Sequence, residues 1–169
     1  MTDPRTVADR AGRMFTLQFL GCIAIIAYAL YLQHYKDLDP CPWCVVQRLD
    51  YIAIGLLALV AALARPSGPG VAAFSLLSGL LAIAGGAAAT YHIYLQSDPE
   101  RATSCTGSVV EKLLDASHLG RMIPPLLQYD GPCTLKPWAL LGLSIPEWSL
   151  IGFIMVLIWA IVLPFAARR

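Results

Sequence analysis

Residues Cys41 to Ala64 read CPWCVVQRLDYIAIGLLALVAALA, two cysteines and an arginine placed where a polar segment runs into a long apolar one. If Cys41 opens a helix, positions 41, 44 and 48 stand at i, i+3 and i+7, so both sulfurs and the guanidinium fall on one face. An arginine within an apolar helix costs roughly 2.5 to 3.5 kcal/mol at the helix centre and less near the interface. Arg48 therefore either snorkels to lipid headgroups or serves a function, and its cost makes function the stronger expectation.

The rest of the composition supports a membrane setting. Of 169 residues, 57% are hydrophobic and only 14% charged, and the mean hydropathy of +0.64 is too high for a soluble domain. A formal net charge of +1, with no basic run interleaved with aromatics, sets nucleic-acid binding aside. Five cysteines are many for so small a chain, and the odd number leaves at least one unpaired within it.

Outward from the opening stretch, the chain divides into four apolar runs of about 15–32, 45–64, 71–95 and 148–167. The first is about 27 Å of helix, enough to span a bilayer, with Gln18 its only strongly polar interruption. It follows a basic start, as a signal peptide would, but Gln33-His34-Tyr35-Lys36 replaces a small-residue cleavage site, so a retained helix is expected. Cys22, near its middle, reads as a small buried hydrophobe. Arg65-Pro66-Ser67-Gly68-Pro69-Gly70 is a tight breaker that makes runs two and three a hairpin. Run three is rich in Gly and Ala, which permits close helix contact.

The fold expected is an all-α integral membrane protein, a four-transmembrane-helix bundle forming one membrane domain over residues 1–169. Segments 33–44 and 97–146 share one side; both termini and the turn at 65–70 share the other. Arg5, Arg10, Arg13, Arg65, Arg168 and Arg169 are dense on the terminal side, which predicts cytoplasmic termini and a periplasmic long loop. Cys41, Cys44, Cys105 and Cys133 then face the oxidising side. Within the loop, Ser108 to Asp115 predicts a short amphipathic helix, lying on the bilayer surface or packing on neighbouring loop residues.

A CxxC at a helix N-terminus is exchange-competent, and the macrodipole favours a thiolate on Cys41. Cys44, four residues before Arg48, is placed to deliver electrons to a lipid-soluble oxidant. Cys105 and Cys133 bracket a proline-broken loop open to a water-soluble protein, so two exchangeable pairs make a relay. With no dinucleotide fingerprint and no CxxCH haem site in the chain, a quinone dissolved in the bilayer fits as terminal acceptor. Arg48 and His92 are the candidate donors to its carbonyls, with Gln47 and Gln96 weaker ones.

These features together resemble the DsbB family of bacterial disulfide bond formation proteins over nearly the whole chain. The matching residues are Cys41, Cys44 and Arg48, the loop cysteines Cys105 and Cys133, the segment His92-Ile93-Tyr94-Leu95-Gln96, and Gly142-Leu143-Ser144-Ile145-Pro146-Glu147-Trp148 at the entry to run four. The resemblance implies an oxidase of the bacterial inner membrane that reoxidises a periplasmic thioredoxin-fold dithiol protein of the DsbA type and reduces ubiquinone or menaquinone. It implies that Cys105 forms the mixed disulfide with the partner, Cys133 passes the exchange to Cys41, and Cys44 meets the quinone beside Arg48. It also implies that the loop helix lies on the membrane. Two other classes are weaker. A metal site of Cys41, Cys44, Cys105 and Cys133, or with His118 replacing one, lacks the two close pairs of structural zinc sites, so no metal is expected; a non-enzymatic scaffold stapled by Cys105 and Cys133 leaves Arg48 unexplained.

Overall fold

The computed structural model describes residues 4–98, 109–117, 123–129, 131, 133, 134, 136 and 138–168. Four long helices dominate it: α1 (Pro4–Tyr35), α2 (Pro42–Ala64), α3 (Pro69–Gln96) and, at the C-terminal end, α6 (Ile145–Ala166). Each is long and apolar enough to cross a membrane. Between α3 and α6 lie α4 (Val109–Ser117), the single turn α5 (Pro124–Leu127) and a minute antiparallel hairpin, β1 (Ala139–Leu140) with β2 (Leu143–Ser144). Among the described residues the hairpin is the one non-helical element added to the all-α fold expected, and Leu141 and Gly142 both take the positive φ that its two-residue turn requires.

The long helices exceed the apolar runs at their ends because local chemistry caps them. α1 starts at Pro4, well before its apolar run, and Val7 and Ala11 there are buried against Ala58, Ala61, Val71, Leu163 and Ala167. Arg65 closes α2 in the left-handed region with its N–H on the Ala61 carbonyl, and its side chain pairs with Asp9 across the turn at 3.1 Å. At the start of α6 the Glu147 carboxylate accepts from both the N–H and the hydroxyl of Ser144, each at 2.6 Å, which ties the N-cap residue to the first turn.

Packing follows the hairpin logic: α1 lies along α2, α2 against α3, and α3 along α6. Gly85 lets the buried ring of Phe153 seat directly on the α3 backbone, where a Cβ would collide with it, and Phe153 stacks on Tyr51 with centroids 4.1 Å apart. Gln18 donates to Ser78 at 3.1 Å inside the bundle, so its amide nitrogen is paired across the interface of α1 with α3, while its buried Oε1 has no partner among the described residues. Leu17, Leu20, Leu56, Val60, Leu80, Ile83, Met155 and Ile158 remain exposed, the outward apolar belt of a bundle whose solvent is lipid. Both chain ends and the α2–α3 turn meet in one core cluster; Cys41, Leu95 and Cys133 meet in another. An even number of spans places these on opposite ends of the bundle.

Helix α4 packs by one face. Leu114 is 8% exposed and Leu113 64%; Leu114 joins Val45, Leu127, Leu49, Leu126 and Tyr129, and the Tyr129 hydroxyl donates to Asp115. The loop helix is therefore seated on the first turns of α2 as well as on its loop neighbours.

Candidate functional site

The site is built at the entrance to α2. Pro42 occupies the first helical position, where its missing N–H costs nothing, and Cys41 is the extended N-cap residue, with φ −88° and ψ 168°. Its side chain caps no backbone N–H. Instead the Cys41 thiol donates to Cys44 Sγ at 3.4 Å, and both cysteines are free thiols. This changes the expectation of a thiolate on Cys41: the hydrogen bond to Cys44 and near-complete burial, 2% exposed, push its pKa well above the ordinary thiol range despite the helix dipole.

Helix α3 brings His92 onto the pair. His92 is 2% exposed, its Nε2 lies 3.5 Å from Cys41 Sγ and its Nδ1 4.0 Å from Cys44 Sγ. The Gln47 amide stands 3.3 Å from Nδ1, so Gln47, a weak candidate in the sequence, holds the ring orientation. Close packing of Trp43 on Tyr91, centroids 4.7 Å apart, joins the same two helices at this level.

Arg48 lies one turn below and reaches a different neighbourhood. Its Nη1 donates to Gln33 Oε1 at 2.6 Å and to the Leu126 carbonyl at 3.0 Å. Arg48 as a residue is 8% exposed, and its guanidinium is held on protein groups rather than snorkelling to headgroups. Gln33, the acceptor from the last turn of α1, had no motif to mark it; its polarity at the end of an apolar run was the only signal.

Cys133 is disulfide-bonded and buried with Cys41 and Leu95, with Trp43 and Cys44 packed alongside. The contact that puts it there is backbone to backbone: the Gly131 N–H donates to the Pro40 carbonyl at 3.1 Å, and Gly131 lies so close to Asp39 that a Cβ would strike its carbonyl. Cys105 and His118 lie outside the described residues. Cys22 is buried against Gly55, Tyr51 and Ile54 in the middle of the bundle, remote in the fold from the other thiols.

The residues around the pair fit a carbonyl-bearing ring. Trp43 Nε1 is a buried donor with no hydrogen-bond partner among the described residues, and it sits in the cluster that contains Cys44.

Comparison with known proteins agrees with this geometry. The family model described as "Disulfide bond formation protein DsbB" matches residues 11–163. A disulfide bond formation protein B of Azoarcus sp. (strain BH72) is 37% identical over 155 residues, 92% of this chain and 93% of the relative. Disulfide bond formation protein B 1 of Pseudomonas aeruginosa PAO1 is 40% identical over 151 residues, 89% and 92% of the two chains, and a protein B of Hahella chejuensis is 36% identical over 148 residues, 87% and 90%. With four spanning helices, a CxxC at the entrance to the second and a match over nearly its whole length, the chain belongs to the DsbB family of disulfide bond formation proteins.

Proposed function

We propose that this chain is a disulfide-generating oxidoreductase of the bacterial inner membrane that reoxidises a periplasmic dithiol protein of the DsbA type and passes the electrons to a membrane quinone. The observation that carries this reading is the meeting of three cysteines at one point: Cys41 and Cys44 as thiols 3.4 Å apart, with disulfide-bonded Cys133 packed on Cys41. The density of arginine at the opposite end supports cytoplasmic termini and a periplasmic site.

In this reading a partner thiolate attacks Cys105, and the bond between Cys105 and Cys133 breaks. The partner's second thiolate displaces Cys105 and leaves the partner oxidised; the freed Cys133 thiolate attacks Cys41 of a Cys41–Cys44 disulfide and releases Cys44, and the Cys105 thiolate then attacks Cys133, re-forming the Cys105–Cys133 bond and leaving both motif cysteines reduced. Bound beside the pair, a quinone, ubiquinone or menaquinone, would supply an acceptor for the two electrons and two protons that Cys41 and Cys44 give up when their disulfide re-forms. His92 is placed to hold a proton leaving either sulfur, since each sulfur lies within 4.0 Å of a ring nitrogen. Arg48, a turn below Cys44, supplies positive potential where sulfur charge develops, and Gln33 and Leu126 hold it in place. Trp43 Nε1, buried without a partner among the described residues, and His92 are donors beside the pair for a quinone carbonyl.

Full reduction of the purified protein, anaerobic addition of either quinone, and counting of quinol against thiol tests the scheme. One quinol formed for every two thiols lost, with Cys22 alone still alkylatable at the end, is the expected result. Absence of quinol with both quinones would overturn it.

A further inference from the structure

Cys41, Cys44 and His92 together form something the sequence spacing did not suggest. Their Sγ, Sγ and imidazole nitrogen atoms all lie within 4.8 Å of one another, and both sulfurs are free thiols. The nearest approaches are 3.4 Å between the sulfurs and 3.5 Å from Cys41 Sγ to His92 Nε2. A tetrahedral zinc site with Zn–S of about 2.3 Å and Zn–N of about 2.0 Å has ligand–ligand edges of roughly 3.5 to 3.8 Å. Two of the three edges thus already match such a site. The usual supporting partner is also present, because the Gln47 amide lies 3.3 Å from His92 Nδ1 and, with its oxygen turned to the ring, accepts the Nδ1 proton and directs Nε2 at the metal.

We propose that the reduced Cys41–Cys44 pair and His92 bind a thiophilic divalent cation, Zn2+, in a site that competes with disulfide formation. Binding replaces two S–H bonds by two Zn–S bonds and releases two protons; no electrons move. A dithiolate with a divalent cation is neutral, so it suits a buried pocket better than a free thiolate does. Arg48 does not oppose it: a pair of protonated thiols and a zinc dithiolate are both neutral overall, so the charge facing the guanidinium, which is held on Gln33 and the Leu126 carbonyl, does not change. With three protein ligands the fourth position stays open to water or an added ligand, as in exchangeable rather than structural zinc sites. While the metal is bound, neither sulfur can attack a disulfide or deliver electrons, so the ion acts as a reversible brake on the reduced form only.

Cobalt(II) is the probe, because thiolate ligation gives it a near-ultraviolet charge-transfer band and four-coordination gives intense visible bands. The protein is titrated anaerobically as the full chain in detergent, with Cys105 and Cys133 replaced by serine so that only the motif thiols and Cys22 remain. Saturation at one cobalt per chain with both features is expected, with Zn2+ displacing the colour. Cys44→Ser should remove the charge-transfer band, His92→Ala should weaken binding at least tenfold, and Cys22→Ala should change nothing. Wild-type protein offers a measurement that needs no substitution: the bands should vanish on oxidation of the CxxC and return on reduction. Only the weak spectrum of six-coordinate aqueous cobalt, or a band that survives Cys44→Ser or oxidation, would overturn the site. Because this readout contains no quinone, a chain that reduces quinone yet shows no bands refutes the metal site alone, and one that binds cobalt but yields no quinol refutes the proposed function alone.

Discussion

Cys41 shows how burial outweighs a favourable dipole at a single residue. The positive end of α2 lowers the free energy of a thiolate there by at most about 2 kcal/mol, whereas the hydrogen bond it donates to Cys44 holds the proton and burial penalises the charge. The pKa is raised, so the reactive thiolate fraction at neutral pH is smaller than for an ordinary cysteine and grows as pH rises. Alkylation of Cys41 by iodoacetamide, followed by peptide mass, should therefore reach half its maximal rate at a pH above that of an ordinary cysteine, and Cys44→Ala, which removes the acceptor, should move that midpoint down. A profile centred at or below the ordinary thiol value in the unaltered protein would contradict the geometry. Gly131 acts at the same scale. A methyl at this position meets the Asp39 carbonyl, so Gly131→Ala must push the 131–133 segment off Pro40 and take Cys133 from Cys41. Turnover with the partner dithiol should fall on the order of 10- to 100-fold while quinone reduction by the pre-reduced CxxC persists. Equal loss in both assays would mean general misfolding instead.

Among the elements, the interface of α3 with α6 is where packing is least forgiving. Phe153 lies flat between Gly85 and Tyr51, and Tyr51 is tied in turn to the Ser149 carbonyl at 2.8 Å. Gly85→Ala overpacks this contact and should destabilise the bundle by about 1 to 3 kcal/mol, seen as a lower thermal midpoint in detergent. Adding Phe153→Leu opens room for the methyl and should recover part of the loss; a double variant no better than the sum of the singles would show that the clash is not the cause. The same interface matters to the site, since α3 carries His92 two turns beyond Gly85 on nearly the same face and fixes its height against α2.

The whole molecule separates two tasks by end. One end gathers both termini and the α2–α3 turn into a core of Phe15, Ala58, Val71 and Leu163; the other gathers the thiols. If arginine density orients the bundle as expected, a membrane-impermeant maleimide on spheroplasts should label Lys36→Cys directly and Ser67→Cys only after lysis, in a background lacking the native cysteines. The reverse pattern would invert the orientation and move the site to the cytoplasm. The number of spans, their order and the thiol-bearing entrance to α2 were legible in the sequence by itself, because length, hydropathy and breaker residues act locally along a chain. The meeting of groups far apart in sequence was not. His92 reaches Cys41 across 51 positions, Gln18 reaches Ser78 across 60, and Arg48 reaches the Leu126 carbonyl across 78. Those contacts depend on helix rotation and height within the bundle, and these are decided only when side chains such as Phe153 find the one backbone, at Gly85, that leaves them room.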